Sequence, residues 1–548
     1  MAFAEYRQVA RVTSDAGCCA VPAVAARDFI SRLTRGNPVN LASLLDLPSM
    51  IVPDAMALID ISGPSPREIT YGELRANVGQ TAGLLTELGV TAGDRVGVFA
   101  TNSASCLESI FATSAIGATV VPMNYRAADE EVSHLLADSG AKVVFAETRY
   151  RELIERCRPE NVVEIVYLDD DYIARRDAAE EWPLVNDVED DELAALLYTS
   201  GTTSLPKGVK LTHGALTGYI MGANDAADGE DHGRMCLAAP LYHIAGLTSL
   251  LNALYSGRVT VMMSQFEPDA WLEAVATHRV SHAFLVPTML AKVLESEKLD
   301  SADLTSLEAL TYGAAPMPPA VIKRAIERFP ASVGFSGAYG QTETTSTVAV
   351  LGPDDHVLDS ELKLARIRSV GQVLDDVEIR IVDPEGNVMG VGEPGEVQLR
   401  TYRAMDGYWG AEEKTRVTID TEGWVHTGDL GYLDDDNYLF LSGRSGDMII
   451  RGGENVAPEE VEAVLYEHPD VVEAAVVGLT DETWGERVVA TIVLRDGGSV
   501  DAVAAHCKEH LAAFKRPDAI HIAQELPRTS TGKLLRRHLI PVLEELGI

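Results

Sequence analysis

Basic residues are scarce in this chain: 45 Lys and Arg stand against 83 Asp and Glu, for a net charge of −38. So negative a field repels nucleic acid and anionic membrane surfaces, which argues against non-specific binding to either. Any anionic ligand must be held by a local positive site working against the overall field. Cysteine is scarce as well. The six are Cys18, Cys19, Cys106, Cys157, Cys236 and Cys507. None forms a Cys-x-x-Cys pair, and no Cys/His cluster has zinc spacing. Scattered thiols suit a reducing compartment, so a cytoplasmic location is expected. Long apolar runs are missing too. None approaches the ~20 residues that cross a bilayer, so no stable membrane insertion is expected.

What is present is ample: 548 residues, 46% hydrophobic and 23% charged. A chain of this size builds several domains around its own core, without disulfide or metal staples. Residues 1–37 carry Arg7, Arg11, Arg27, Arg32 and Arg35 with few acids, and Pro22 breaks their apolar stretch. They are read as an irregular N-terminal extension.

From about residue 95 to 337, short apolar runs alternate with longer amphipathic ones. Strands are expected at 95–99, 119–123, 142–146, 235–239, 259–263, 282–286, 307–312 and 333–336. Helices are expected at 107–117, 269–278 and 318–329. That rhythm is the mark of βαβ units and parallel sheets. After about residue 365 the texture changes. Alternating strands at 377–382, 395–401 and 438–442 are parted by Asp-, Gly- and Pro-rich turns, which predicts an antiparallel, barrel-like subdomain. The tail predicts an α+β domain: a helix at 458–468, strands at 471–479 and 488–494, and a helix at 500–513. The fold class is therefore α/β. It has a large N-terminal domain over 38–443, a hinge at 444–448 and a small mobile C-terminal domain over 449–548.

The most informative segment is Thr199-Ser200-Gly201-Thr202-Thr203-Ser204-Leu205-Pro206-Lys207-Gly208, entered from an apolar run. Hydroxyls, glycines at both ends and one late Lys suit a polyphosphate, because backbone N–H groups, O–H donors and an ammonium can converge on it. The order differs from the common nucleoside-triphosphate loop, which needs Gly-Lys-Ser/Thr at its end. On its own the segment marks a phosphate binder, with a Ser/Thr-rich surface turn as the alternative.

Further constellations follow it. Pro240-Leu241-Tyr242-His243 follows a strand end, and His243 lines a pocket or packs in the surface. Tyr339-Gly340-Gln341-Thr342-Glu343 follows a buried strand and an expected turn at Ser336-Gly337-Ala338. Its aromatic can stack on a purine, Thr342 can reach a phosphate, and Glu343 is a hard oxygen ligand for Mg²⁺. His426-Thr427-Gly428-Asp429 is read as a turn whose Asp suits a ribose diol. Gly443-Arg444-Ser445-Gly446-Asp447 follows after a further strand, and Arg528-Thr529-Ser530-Thr531-Gly532-Lys533 is a Gly-Lys turn before a helix.

Taken in order, these motifs resemble the adenylate-forming superfamily: acyl-CoA synthetases, adenylation domains of peptide synthetases and luciferases. The resemblance covers roughly residues 40 to 545. Pro-Leu-Tyr-His, Gly-Gly-Glu-Asn-Val and Phe-Lys-Arg-Pro make it closest to bacterial fatty-acid and aromatic-acid CoA ligases. It implies ATP and coenzyme A as co-substrates, Mg²⁺ as cofactor and a small carboxylic acid as substrate. It implies that Thr199, Ser200, Gly201, Thr202, Thr203 and Lys207 grip the β- and γ-phosphates. Gly313, Ala314, Ala315 and Tyr339 would enclose adenine, Thr342 would touch the α-phosphate and Glu343 would hold Mg²⁺. Asp429 and Arg444 would bind the ribose. Lys533 would bridge the carboxylate and the α-phosphate, and His243 would gate the acyl pocket. After rotation about the hinge, Gly452, Gly453, Glu454, Trp484, Phe514, Lys515 and Arg516 would meet coenzyme A.

The acyl pocket is expected near 242–248, 313–315 and 335–337, with small residues Ala245, Gly246, Ala314 and Ala315 favouring an apolar acid. Two residues depart from the family pattern. Ser204 stands where the loop usually has Gly, at a cost of about 1 kcal/mol if the position needs positive φ. Gly446 stands at the hinge where Asp or Lys is usual, which predicts a mobile, less biased C-terminal domain. Two other functions compete: a ligase that loads a carrier protein or stops at the acyl-adenylate, and a degenerate nucleotide-binding regulator. The region around His243 lacks the Asp that amino-acid-activating domains use for an α-ammonium, and retention of Lys533, Glu343, Asp429 and Arg444 disfavours the regulator. The oligomeric state is left open, a homodimer among the options.

Overall fold

In the computed structural model the described residues are 39–184, 188–199, 205–481, 483–528 and 534–548. The expected extension over 1–37 lies outside them. The chain divides into two units: residues 1–283 with 342–346 and 402–415, and residues 284–341, 347–401 and 416–548.

The first unit holds a six-stranded sheet. Its order is Glu164–Tyr167, Val143–Ala146, Arg95–Phe99, Thr119–Pro122, Leu193–Thr199 and Lys207–Thr212. Neighbours are parallel up to the last pair, which is antiparallel. Val143–Ala146 and Thr119–Pro122 are buried at every position, as strands covered on both faces must be. The helix Ala104–Ala115 is buried along its length and is capped by Ser103, whose hydroxyl accepts the Cys106 N–H. Arg234–Leu237, Val259–Met262, Met56–Asp60 and Arg67–Thr70 line up in a second set of strands.

Leu193–Thr199 and Lys207–Thr212 form a hairpin with Thr199 directly opposite Lys207. Lys207 and Gly208 thus open a strand that pairs with the apolar run, a pairing the run alone did not announce. Ser200, Gly201, Thr202, Thr203 and Ser204 lie outside the described residues.

In the second unit Ala309–Gly313 and Gly334–Gln341 pair in parallel, and the helix Pro319–Arg328 lies between them in sequence. A four-stranded antiparallel sheet follows, in the order Glu378–Val382, Gly395–Arg400, Val425–Leu433 and Leu439–Arg444. The C-terminal part is α+β. Five strands combine with helices Pro458–Glu467, Val500–His510 and Arg536–Glu545. Ile449, Val461, Leu465, Val476, Val488, Ile492 and Val503 form a buried core between that sheet and its helices.

Two local expectations are corrected. No turn occurs at Ser336–Ala338, because Gly334–Gln341 is one continuous strand. Gly337 is small for a packing reason: a Cβ there would sit 3.1 Å from the Tyr312 hydroxyl. Likewise Thr427-Gly428-Asp429 lies within the strand Val425–Leu433 rather than in a turn. Gly428 takes φ 70° inside that strand, so the chain bends locally and pairing resumes at Asp429, opposite Arg444.

Candidate functional site

The second unit places Asp429 on its strand with only 4% of its surface exposed. Pairing of Asp429 with Arg444 across the strands brings the guanidinium Nε to 2.8 Å from one carboxylate oxygen. The Tyr339 hydroxyl donates to the other oxygen at 2.6 Å, and Gln341 Nε2 donates to it at 2.9 Å. The backbone is fixed as well: the Asp429 N–H donates to Thr427 Oγ1, which itself donates to the Val397 carbonyl. Burial first, and then the neighbouring carboxylate, push the Tyr339 hydroxyl well above the ordinary tyrosine range. It therefore stays protonated and remains a donor. A carboxylate has about four acceptor positions, so Asp429 keeps room for a further donor.

Sequence reasoning missed Gln341. Alternation along the strand was the available signal, since residues two apart share a face and Tyr339 was already assigned. Gly313 lies at the adjacent strand end, where a Cβ would be 2.4 Å from the Ala338 carbonyl. Next to it Ala314 holds φ 66°, a left-handed conformation costing roughly 1–2 kcal/mol for a residue with a Cβ. Strain of this kind persists where the surroundings force it and clusters at functional sites. Ala315 follows directly.

The first unit brings Lys207 and Glu343 to one residue, Tyr408. The Lys207 ammonium is 5.6 Å from the Tyr408 ring centroid, and the Tyr408 hydroxyl donates to Glu343 Oε1 at 2.8 Å. Pairing of Val209 with Tyr408, and the Trp409 N–H to Gly208 carbonyl bond at 2.8 Å, place residues 406–409 beside the hairpin. Burial, and then a contact with the Lys414 ammonium, lower the Lys207 pKa, with Glu343 opposing. Neighbouring ammonium groups repel, and the Glu343 carboxylate nearby offsets part of that repulsion. Thr342 opens the short 3₁₀ turn that carries Glu343. Tyr408 and Lys414 were not foreseen; a pairing distant in sequence brings both in.

A Mg²⁺ ion suits this corner by donor chemistry. Among the described residues no cluster of metal-binding side chains surrounds Glu343. Mg²⁺ is commonly held by one or two carboxylates together with substrate phosphates, so a lone Glu beside the Lys207 hairpin fits it.

His243 stands at the residue before the helix Ile244–Tyr255 in extended conformation, its ring 4.5 Å from that of Tyr242. Gly246 has a different reason for being small than an open acyl pocket. A Cβ there would meet the Pro240 carbonyl at 2.1 Å, so glycine is required for the helix to start against its own entry loop.

The residues expected to meet coenzyme A gather around Arg451, which sequence reasoning overlooked. Gly452 and Gly453, at φ 61° and 88°, turn the hairpin between Ile449–Arg451 and Glu454–Val456. A Cβ on Gly452 would lie 2.9 Å from the Trp484 ring, which is 53% exposed. The Arg451 guanidinium is 6.0 Å from that ring and donates to the carbonyls of Phe514 and Arg516, both at 3.1 Å. Lys515 pairs with Glu460 at 2.5 Å, and Arg516 Nε donates to the Leu511 carbonyl. Glu454 is exposed where the second hairpin strand begins. At the hinge, a Cβ on Gly446 would meet nothing within 4 Å. Lys533 lies outside the described residues, and Arg528 and Leu534 on either side of it pair as an antiparallel bridge.

The described cysteines Cys106, Cys157, Cys236 and Cys507 are free and buried, and burial pushes the Cys236 thiol up to about 12. No helix among the described residues is long and apolar enough to cross a membrane.

Comparison with known proteins places the chain in a family. The AMP-binding enzyme family matches residues 51–409, and the AMP-binding enzyme C-terminal domain matches 460–533. A feruloyl-CoA synthase from Amycolatopsis sp is 36% identical over 85% of this chain and 92% of its own length. The fatty acid–[acyl-carrier-protein] ligase ScoC of Streptomyces coeruleorubidus is 34% identical over 86% of this chain and 91% of its own. The crystal structure of ATP-bound MatB from Rhodopseudomonas palustris superposes with a TM-score of 0.83 at 28% identity, covering 93% of this chain and all (100%) of that one. That of the anthranilate CoA ligase AuaEII with anthranoyl-AMP gives 0.82 at 28%, covering 92% and 96%. On sequence and fold together, this chain belongs to the AMP-binding enzymes, the adenylate-forming ligases.

Proposed function

We propose that the protein is an ATP-dependent acid:CoA ligase acting on an apolar carboxylic acid, fatty or aromatic. The observation that carries this reading is the buried Asp429 carboxylate, preset by Tyr339, Gln341 and Arg444 in a position suited to a ribose diol. Supporting it are the Lys207 and Lys414 ammonium groups brought close beside Glu343, and the exposed Trp484 and Phe514 rings gathered with Arg451.

The chemistry follows from charge. A carboxylate resists attack at its carbon, so its oxygen first attacks the α-phosphorus of ATP. The P–O bond to pyrophosphate breaks and an acyl-adenylate forms. Charge builds on the phosphoryl oxygens in that displacement, and fixed cations stabilise it. Lys207 holds the departing pyrophosphate end, Asp429 and Arg444 hold the ribose, and Thr342 donates to the α-phosphate. Lys533 sets the acid oxygen in line. Glu343 would hold Mg²⁺, which when bound would supply neutralising charge to the phosphates. In the second step the thiol of coenzyme A attacks the acyl carbon and AMP leaves. Gly452, Gly453, Glu454, Trp484, Phe514, Lys515 and Arg516 receive the coenzyme there, with the Trp484 ring available to its adenine. Gly446 is the pivot between the two steps, within a hinge at 444–448.

The relatedness to ScoC favours a second reading, in which the acyl group passes to a carrier protein. A screen of aliphatic, aromatic and alicyclic acids for pyrophosphate release, with coenzyme A or with carrier protein, decides between them. Release of AMP and formation of a thioester with coenzyme A support the ligase. Thioester formation on carrier protein alone rejects it.

A further inference from the structure

Glu343 sits on an unusual piece of backbone. After its 3₁₀ turn, Thr345 and Ser346 both take positive φ, 50° and 77°, although neither is glycine. Thr344, Thr345 and Ser346 are also buried. A pair of left-handed residues with side chains lasts only where neighbours over-determine it. The neighbours come from residues 402–415. The Met405 N–H donates to the Glu343 carbonyl at 2.9 Å, and the Thr345 hydroxyl donates to the Arg403 carbonyl at 2.5 Å. The Arg403 guanidinium lies across the carbonyls of Thr344 and Thr345, at 3.3 and 3.5 Å, and 5.1 Å from the Tyr219 ring centroid. Arg403 is 1% exposed, among the largest fully buried side chains of the protein.

Burying a guanidinium is costly unless it is well used, and this one is aimed at the strained backbone next to Glu343. The same segment supplies Tyr408, whose hydroxyl orients the Glu343 carboxylate. We infer that Arg403 is a positioning residue for Glu343: it clamps the left-handed turn and so fixes the carboxylate where a phosphate-bound divalent cation would meet it. This rests on the reading of Glu343 given above as the group that receives the cation.

The test measures ATP affinity of the full-length protein by calorimetry, once with Mg²⁺ and once with EDTA. Thermal melts on the same samples report stability. In the parent protein Mg²⁺ tightens ATP binding, and Glu343→Gln removes that gain. Arg403→Met and Arg403→Gln are expected to remove most of it, about tenfold in Kd, while affinity in EDTA changes less than about twofold. Arg403→Lys restores part of the gain. A merely structural arginine would lower the melting temperature and leave the ratio of the two affinities alone. If Arg403→Met does not fold, Arg403→Gln and Arg403→Lys carry the test, both keeping a donor and most of the volume. Loss of the Mg²⁺ gain in Glu343→Gln but its retention in every Arg403 variant overturns the inference. Retention in Glu343→Gln, or no gain in the parent protein, overturns the reading of Glu343 itself and the inference with it.

Discussion

Asp429 and Arg444 are cross-strand partners, directly opposite in an antiparallel pair, with the guanidinium Nε 2.8 Å from the buried carboxylate. The sheet itself therefore builds this pair, with no loop needed to bring its members together. Asp429→Asn keeps the shape but weakens the acceptor for Tyr339, Gln341 and a ribose. Hydrogen bonds to a charged group are worth about 1.5–3 kcal/mol, so kcat/KM for ATP should fall roughly ten- to a hundredfold. Steady-state kinetics with ATP varied checks this, and an unchanged value counts against the ribose assignment.

Arg451→Ala separates the two half-reactions. Its guanidinium holds the carbonyls of Phe514 and Arg516 and lies near Trp484, none of which touches the Asp429 pair. The expected outcome is a KM for coenzyme A raised about tenfold, with acid-dependent exchange of pyrophosphate into ATP unchanged. A fall in exchange that matches the loss of thioester formation would show that this group of side chains does not serve the second step alone.

Gly446→Asp is sterically free, since a Cβ there meets nothing within 4 Å. Stability should stay within about 0.5 kcal/mol. An added side chain at the pivot should change the ratio of adenylation to thioester-formation rates, measured separately by single-turnover kinetics. An unchanged ratio removes the case for Gly446 as a hinge.

His213 links the fold to pH. It is 1% exposed, its Nδ1 accepts the Leu41 N–H at 3.0 Å, and burial lowers its pKa from 6.5 to about 4. The unfolded chain therefore binds the proton first as pH falls. Stability from the neutral imidazole is complete above 6.5 and is lost as pH drops toward 4. The full effect is about 3 kcal/mol. His213→Asn, which keeps an acceptor but cannot titrate, should flatten that acid slope in urea unfolding at pH 7 and pH 4.5. An equal slope in both proteins contradicts the assignment.

Much of this was legible before the structure. The strands at 119–122 and 143–146 read directly, because both are buried on both faces and only Thr119 among their residues is polar. Motif order singled out Tyr339, Asp429 and Arg444, which the structure brings into contact. Hidden were the residues that work through partners remote in the chain. Arg403 and Tyr408 look like surface sequence until pairing with the hairpin and the Glu343 turn gives them a role. Arg451 reads as one more exposed cation until Trp484 and residues 514–516 close around it. Glycines misled in the opposite direction. Gly337 and Gly428 look like turn formers, yet one makes room for a ring and the other bends a continuing strand.

The most direct measurement of the central claim is isotope exchange between labelled pyrophosphate and ATP, run without coenzyme A across a panel of apolar carboxylic acids. A reversible acyl-adenylate requires exchange that depends on the acid and disappears in Lys533→Ala. Exchange absent with every acid, in protein shown to bind ATP, would contradict the account.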